Sequence, residues 1–279
     1  MKKYIKLLRI EQWIKNIFVF LPLFFSGSFL HLELFSVSLF AFFIFSFTAS
    51  CIYIINDYTD IEADKKHPEK CKRPLASGEI SKPTAKMLFA GLVFLVVSLT
   101  SLVEFIFSID LLYFCLVISA YFIMNIAYTF RLKHIAIVDI SIIALGFVFR
   151  VLAGGYITGI WISQWAILLT FVLALVLAIG KRRGELINSQ INGKTRKALD
   201  GYNIQDIVLA VSCSLAIICY VMFTLSPDVQ SRFNQNIFYT TFFVIFVFLR
   251  YLQQTLVYNK TESPTKTFYR DKYIQVTVL

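Results

Sequence analysis

The sequence predicts an all-α fold: a polytopic transmembrane helical bundle. Three observations carry this. Of 279 residues, 58% are apolar and only 16% charged, and the mean hydropathy is +0.71. A soluble domain is nearer half apolar and a quarter charged. Eight apolar runs each approach the roughly 20 residues that a helix needs to cross a bilayer. Lysine and arginine gather in alternate loops, with 25 of the 27 falling on one side of the predicted membrane. These features exclude a disordered chain, a coiled coil and an ordinary water-soluble enzyme. Five cysteines are too sparse for a disulfide-stapled secreted domain, and Cys71 stands in a polar loop without zinc-ligand spacing. The net charge of +10 reads as membrane topology, so no nucleic-acid partner is expected.

In order, the predicted spans are 13–30, 35–55, 85–107, 111–130, 135–153, 161–179, 207–225 and 237–258. The first has the basic start of a signal peptide. Seven spans follow it and no small-residue cleavage site stands out, so it is read as a retained helix. Residues 273–279 rise only about 10 Å as a helix, too little to span a bilayer. They are either a terminal stub or a ninth helix cut short, and the second is favoured. The cation-rich side holds the N-terminus and the long loops, with Lys65, Lys66, Lys70, Lys72 and Arg73 after the second span, Lys181 to Arg183, Lys194, Arg196 and Lys197 after the sixth, and Lys260, Lys266 and Arg270 in the tail. By the positive-inside rule this side is cytoplasmic. Chemistry is expected there, at a cell (plasma or inner) membrane, because the opposite loops are short.

The second span runs into Asn56-Asp57-Tyr58-Thr59-Asp60-Ile61-Glu62-Ala63-Asp64. On a continuous helix Asp57, Asp60 and Asp64 fall within about 60° of one another. Three like charges on one face call for a cation, and hard oxygen ligands suit Mg²⁺, with Mn²⁺ able to substitute. Asn56 can add an amide oxygen. The alternative is a solvated acidic helix end; the basic residues that follow favour a metal-bound diphosphate. Two further charges lie within the fifth span. Asp139 and Arg150 are 11 residues apart, on one helix face and about 16 Å along it. Ionisable groups at such depth are functional candidates; the alternative is a structural pair with a neighbouring helix. Asn125 could line the same cavity or bond across helices. His31, His67 and His134 share no metal spacing.

The Asn56, Asp57, Asp60, Asp64 pattern after a membrane helix resembles the first signature of the UbiA-type intramembrane prenyltransferases, and His67-Pro68 through Arg73-Pro74 with Gly78 continues the likeness. The resemblance implies a second signature of a Tyr, a Lys and an Asp, which Tyr128, Lys133 and Asp139 match. It implies one transmembrane domain over 1–279, with pseudo-repeated halves of about 1–130 and 131–279. Leu8 to Asn16, Leu132 to Asp139, Gly146 with Arg150 and Gly154, Gly180 to Leu186, and Arg196 to Tyr202 resemble one branch of that family, the polyprenyl-phosphate phosphoribosyltransferases. That branch joins a polyprenyl phosphate lipid to phosphoribosyl diphosphate and releases pyrophosphate.

On this reading Asp57, Asp60, Tyr128, Lys133 and Asp139 are catalytic, and Asn56, Asp57, Asp60 and Asp64 hold the metal. Lys15, Asn16, Asn56, Lys66, Arg73, Arg150, Lys181 and Arg182 bind substrate. Lys133 would stabilise the leaving diphosphate; Asp139 is either a further metal ligand or the group that orients Lys133. A separate cationic pocket for the 5-phosphate is expected from Lys15, Arg73, Lys181 and Arg182. Two other readings stay open: prenyl transfer to an aromatic acceptor and, more distantly, a lipid or small-molecule transporter. A homo-oligomeric assembly also stays open.

Overall fold

The computed structural model describes residues 2–191, 205–258 and 271–278. The basic positions Lys194, Arg196, Lys197, Lys260, Lys266 and Arg270, with Leu199 and Tyr202, lie outside the described residues. Among those described, every regular element is helical.

A short helix α1 (Lys2–Leu8) leads into a 3₁₀ segment, Ile10–Phe20, and then α2 (Leu21–Phe25). The long helices are α3 (Leu32–Thr59), α5 (Lys82–Phe107), α6 (Leu112–Phe130), α7 (Ala136–Thr158), α8 (Gln164–Ile191) and α9 (Gln205–Leu225); α4 (Ile61–Lys65) follows α3 directly. After α10 (Pro227–Phe233) comes α11 (Thr240–Leu252), which passes into a π-helical turn at Gln253–Val257; α12 (Lys272–Val278) is the last element.

Seven of these helical stretches are long and apolar enough to cross a membrane, where the sequence predicts eight. The difference lies in the first predicted span. Its apolar residues form an 11-residue 3₁₀ run and a five-residue α-helix rather than one long α-helix. Pro22 opens α2, and Gly27, with φ of 74°, ends it. The segment read in sequence as 273–279 is the seven-residue α12. The protein is a multi-pass membrane protein, and exposed side chains such as Phe94 and Phe105 on α5 are what lipid-facing helices carry.

The chain divides into two compact units, 1–130 with 149–161, and 131–148 with 162–279. In the first, α3 is the central helix. Its Val37, Ala41, Ile44, Phe45, Ala49 and Ile52 pack with Phe114, Val117 and Tyr121 of α6 and with Ala153 and Ile157 of α7. Small residues let helices approach where lipid supplies no hydrophobic drive between them. Gly154 shows the limit, since a Cβ there would lie 1.9 Å from the Val19 carbonyl oxygen.

The N-terminal segment docks on α3 through polar contacts in antiparallel register. Trp13 Nε1 donates to Ser50 Oγ at 3.1 Å, Asn16 Nδ2 donates to Ser46 Oγ at 2.9 Å, and Ser50 Oγ donates to the Leu8 carbonyl at 2.8 Å. Each buried polar group needs such a partner in an apolar setting.

In the second unit, Val172, Val176 and Ile179 of α8 pack on Leu209, Cys213 and Ala216 of α9, joined by Phe248 and Tyr251 of α11. Gly180 admits the Tyr251 ring, because a Cβ at Gly180 would meet Tyr251 Oη at 2.1 Å. Asp271 caps α12: Oδ1 accepts from the backbone N–H of Tyr273 at 2.9 Å, while Oδ2 accepts from Arg250 Nε at 2.8 Å.

Candidate active site

The acidic motif straddles a helix break. Helix α3 ends at Thr59 and α4 begins at Ile61, with Asp60 between them at φ −94° and ψ 8°. The continuous helix face expected for Asp57, Asp60 and Asp64 is therefore interrupted. Asp57 and Asp64 are buried, while Asp60 is partly exposed.

Two arginines meet these carboxylates. Arg73 Nη1 lies between them, 3.2 Å from Asp57 Oδ1 and 2.7 Å from Asp64 Oδ2. Arg9 Nη2 donates to the same Asp57 Oδ1 at 2.5 Å. The Arg9 guanidinium also stacks on Tyr53, 4.7 Å from the ring centroid. The backbone there is left-handed, with φ of 50°. For a non-glycine residue this conformation costs about 1–2 kcal/mol, and such strain persists where surrounding contacts hold it. Charge-assisted bonds of this kind are strong, and two carboxylates and two guanidiniums balance in net charge.

Asn56 is tied to α6, since its side-chain amide lies within hydrogen-bond reach of Thr129 Oγ1, which also lies 2.8 Å from the Asn125 carbonyl. Tyr128, next to Thr129, is half-buried on the same helix. Tyr58 sits under two lysines, with Lys82 and Lys86 Nζ at 6.0 and 5.8 Å from its ring. Lys15 and Lys66 are exposed.

Asp139 and Arg150 are held separately. In the first unit, buried Arg150 donates from Nε to Asn16 Oδ1 at 2.8 Å and from Nη2 to Tyr121 Oη at 3.4 Å, with its guanidinium 4.9 Å from the Phe45 ring centroid. Cation–π contact is worth most when desolvated. In the second unit, Arg182 grips Asp139 with both Nε and Nη2, at 2.6 and 2.9 Å, and reaches Glu185 through Nη1 at 2.5 Å. Lys181 also faces Glu185, at 3.8 Å. Arg183 bonds Asp206 and the Thr255 carbonyl, which belongs to the π-helical turn. Lys133 lies in the 3₁₀ turn Leu132–His134, half-exposed.

Among the described residues, no group of three His, Cys, Asp or Glu side chains is placed to hold a metal by itself. Asp57 and Asp64 nevertheless fit a small hard cation. Both are buried carboxylates that already converge on a single cationic nitrogen. Mg²⁺ is commonly held by only one or two carboxylates plus substrate phosphates.

The structure adds two residues that sequence reasoning missed. Arg9 reads in sequence as one more topogenic cation, and Thr129 as an ordinary helix residue. Both roles depend on contacts across 48 and 73 residues of chain. The local hints for Arg9 are its place just before an apolar run and within the Leu8 to Asn16 stretch.

Residues 17–275 match the UbiA prenyltransferase family. The decaprenyl-phosphate phosphoribosyltransferase of Mycolicibacterium smegmatis is 37% identical over 232 residues, which cover 80% of this chain and 70% of that protein. The enzyme of the same name from Corynebacterium glutamicum is 36% identical over 202 residues, covering 71% of this chain and 59% of that protein's length. Among solved structures, a UbiA homolog from Archaeoglobus fulgidus bound to DMAPP and Mg²⁺ aligns with a TM-score of 0.66 at 20% identity, covering 89% of this chain and 88% of that one. The seven apolar helices, the Asn56 to Asp64 motif with its buried carboxylates and this breadth of match lead to one assignment: the chain belongs to the UbiA prenyltransferase family.

Proposed function

We propose that this protein transfers the 5-phosphoribosyl group of phosphoribosyl diphosphate to a polyprenyl phosphate in a Mg²⁺-dependent reaction. The ribose C1–O bond to the diphosphate breaks, a C1–O bond to the lipid phosphate forms, and pyrophosphate leaves with the bonding electrons. The observation that carries the metal–diphosphate part is the pair of buried carboxylates, Asp57 and Asp64, converging on one cation beside a second guanidinium. The two relatives named as decaprenyl-phosphate phosphoribosyltransferases support the donor and the acceptor.

Mg²⁺, when bound, supplies charge neutralisation for the leaving diphosphate. Asp57 and Asp64 would hold it, with Asn56 and Asp60 beside them. Arg9 and Arg73 are the nearest cations for phosphate oxygens, and guanidinium suits them geometrically. Lys133 and Tyr128 serve the diphosphate and ribose. The lipid phosphate is already anionic near neutral pH, so no general base is required, and catalysis is mostly positioning and charge stabilisation. Lys181 and Arg182 are weaker 5-phosphate candidates than their sequence suggests, because Glu185 and Asp139 already engage them.

The N-terminus and the site lie on the cytoplasmic side of the cell membrane in this proposal, on the strength of the cation distribution. The 11-residue 3₁₀ run and the five-residue α2 reach about 30 Å together, at about 2.0 and 1.5 Å per residue. That length matches a hydrocarbon core and supports an eighth crossing. The product would be a membrane-bound pentose donor for cell-envelope glycans.

Purified protein with Mg²⁺, polyprenyl phosphate and phosphoribosyl diphosphate labelled in the ribose tests this. Label is expected in the organic-extractable lipid, with pyrophosphate released. No transfer, together with reaction of a prenyl diphosphate and an aromatic acid, would replace this reading with aromatic prenylation.

A further inference from the structure

The arrangement around Asp57 implies a sequence of events as well as a site. Arg73 Nη1 sits between Asp57 Oδ1 and Asp64 Oδ2, and Arg9 Nη2 sits on Asp57 Oδ1. Mg²⁺ takes oxygen ligands at about 2.0–2.1 Å, so an ion seated on these two oxygens excludes the Arg73 nitrogen. The charges match: two guanidiniums balance two carboxylates, and so does one divalent cation. We propose that Arg9 and Arg73 are exchangeable counter-ions of the acidic motif. They hold Asp57 and Asp64 until a divalent cation arrives together with a diphosphate, and then pass to the diphosphate. This rests on the metal–diphosphate reading of the site but not on which diphosphate is the donor.

Two physical arguments favour joint arrival. A divalent cation arriving alone would strand two arginines without counter-charge at the end of a membrane helix, which is costly. It would also find only two buried carboxylates, with no third among the described residues placed to complete the shell. A diphosphate answers both needs, giving oxygens to the ion and negative charge to the arginines. The two guanidiniums are suited to such transfer. Each is about a quarter exposed, whereas the carboxylates beneath them are almost fully buried. The strained backbone of Arg9 and its stacking on Tyr53 keep that guanidinium close when it lets go of Asp57.

Arg73 is thus a competitor of the metal and a ligand of the diphosphate, so its loss must move the two affinities in opposite directions. The test uses the full-length protein in nanodiscs, with no lipid acceptor and no turnover. Mn²⁺ binding is read by electron paramagnetic resonance without diphosphate, and retention of labelled pyrophosphate is read by equilibrium dialysis with Mg²⁺. Arg73→Gln is expected to tighten Mn²⁺ and weaken pyrophosphate retention, each by about tenfold, a usual size for a coupling between sites. Arg9→Gln should do the same to a lesser degree, and it carries the test if Arg73→Gln fails to fold. Adding Asp57→Asn to either variant should abolish the tightened Mn²⁺ binding, locating the ion. Weakening of both ligands together, or unchanged Mn²⁺ affinity in both arginine variants, overturns the proposal. Opposite shifts in a protein that transfers no phosphoribosyl label would uphold it and reject the donor assignment instead.

Discussion

The two charged clusters of this protein hold their ions in different ways. In the first unit the acids are buried and their bases reach outward: Arg9 and Arg73 are 24% and 27% exposed at the side chain, over almost fully buried Asp57 and Asp64. In the second unit acid and base are buried together where Arg182 meets Asp139, itself 5% exposed, and only Arg183 is more buried than its partner. Arg182 and Arg183 are 14% and 10% exposed, and Asp206, which pairs with Arg183, is 58% exposed. The contacts differ in kind as well. Arg182 closes on Asp139 with two nitrogens, whereas Arg73 spreads one nitrogen over two carboxylates. A two-point grip is a joint, and a shared single nitrogen is a place a competing cation can take. On the proposed reading, the Arg182 pair holds its own helices together and the Arg73 contacts wait for a ligand.

The largest effect should come from the waiting cluster. Asp57→Asn is expected to lower turnover about 100-fold or more, by analogy with loss of one preorganised electrostatic group, while the protein stays folded. Label transfer and size-exclusion behaviour measured on one preparation check both halves. The joint should answer in the opposite currency. Asp139→Ala leaves the Arg182 guanidinium largely buried without its two-point partner, a change worth about 3–5 kcal/mol when a buried pair is broken. Unfolding in detergent should show it, and Asp139→Ala unfolding like wild type would erase the difference between joint and ligand site.

Arg150 sharpens the comparison, because its neighbours include neutral groups rather than the paired acids of the other clusters. Asn16→Ala removes the acceptor of its Nε–H and should cost about 2 kcal/mol of stability, the scale of a hydrogen bond to a charged group, with Asp57-dependent metal binding intact. Smaller still is Thr129→Val, which keeps the shape but deletes the hydroxyl joining Asn56 to α6. About 1 kcal/mol and a modest rise in the Mg²⁺ concentration needed for half-maximal activity are expected, since the Asn56 amide loses its tether.

The least effect concerns α12. Burial pushes the Asp271 carboxyl up, but Arg250 and the backbone N–H groups of Ile274 and Tyr273 outweigh it, and its pKa lies below the ordinary 3.8. A depressed carboxylate pKa stabilises above the unfolded value and is lost as pH falls through the folded one. Docking of α12 should therefore hold at neutral pH and loosen only below about pH 4, read as faster amide exchange at Ile274. Loosening already near pH 6 would mean that another group governs it.

How much of this was legible from residues alone follows from distance along the chain. The apolar runs gave the membrane helices, because a helix satisfies its own backbone locally and lipid demands nothing but length and apolarity. The carboxylate spacing of Asp57, Asp60 and Asp64 marked the candidate site, since i, i+3 and i+7 is a local relation. Local reasoning failed where the helix stops at Asp60 and where the first apolar run winds as a 3₁₀ segment. It could pair Asp139 with Arg150 only because they share a helix. The folded chain instead gives Asp139 to Arg182, 43 residues on, and Arg150 to Asn16, 134 residues back. The partners of Asp57 were equally beyond reach. The sequence by itself determined a membrane bundle with an acidic motif at a helix end, and only the tertiary structure decided which arginines would sit on it, because long-range pairing leaves no periodic trace for a sequence to show.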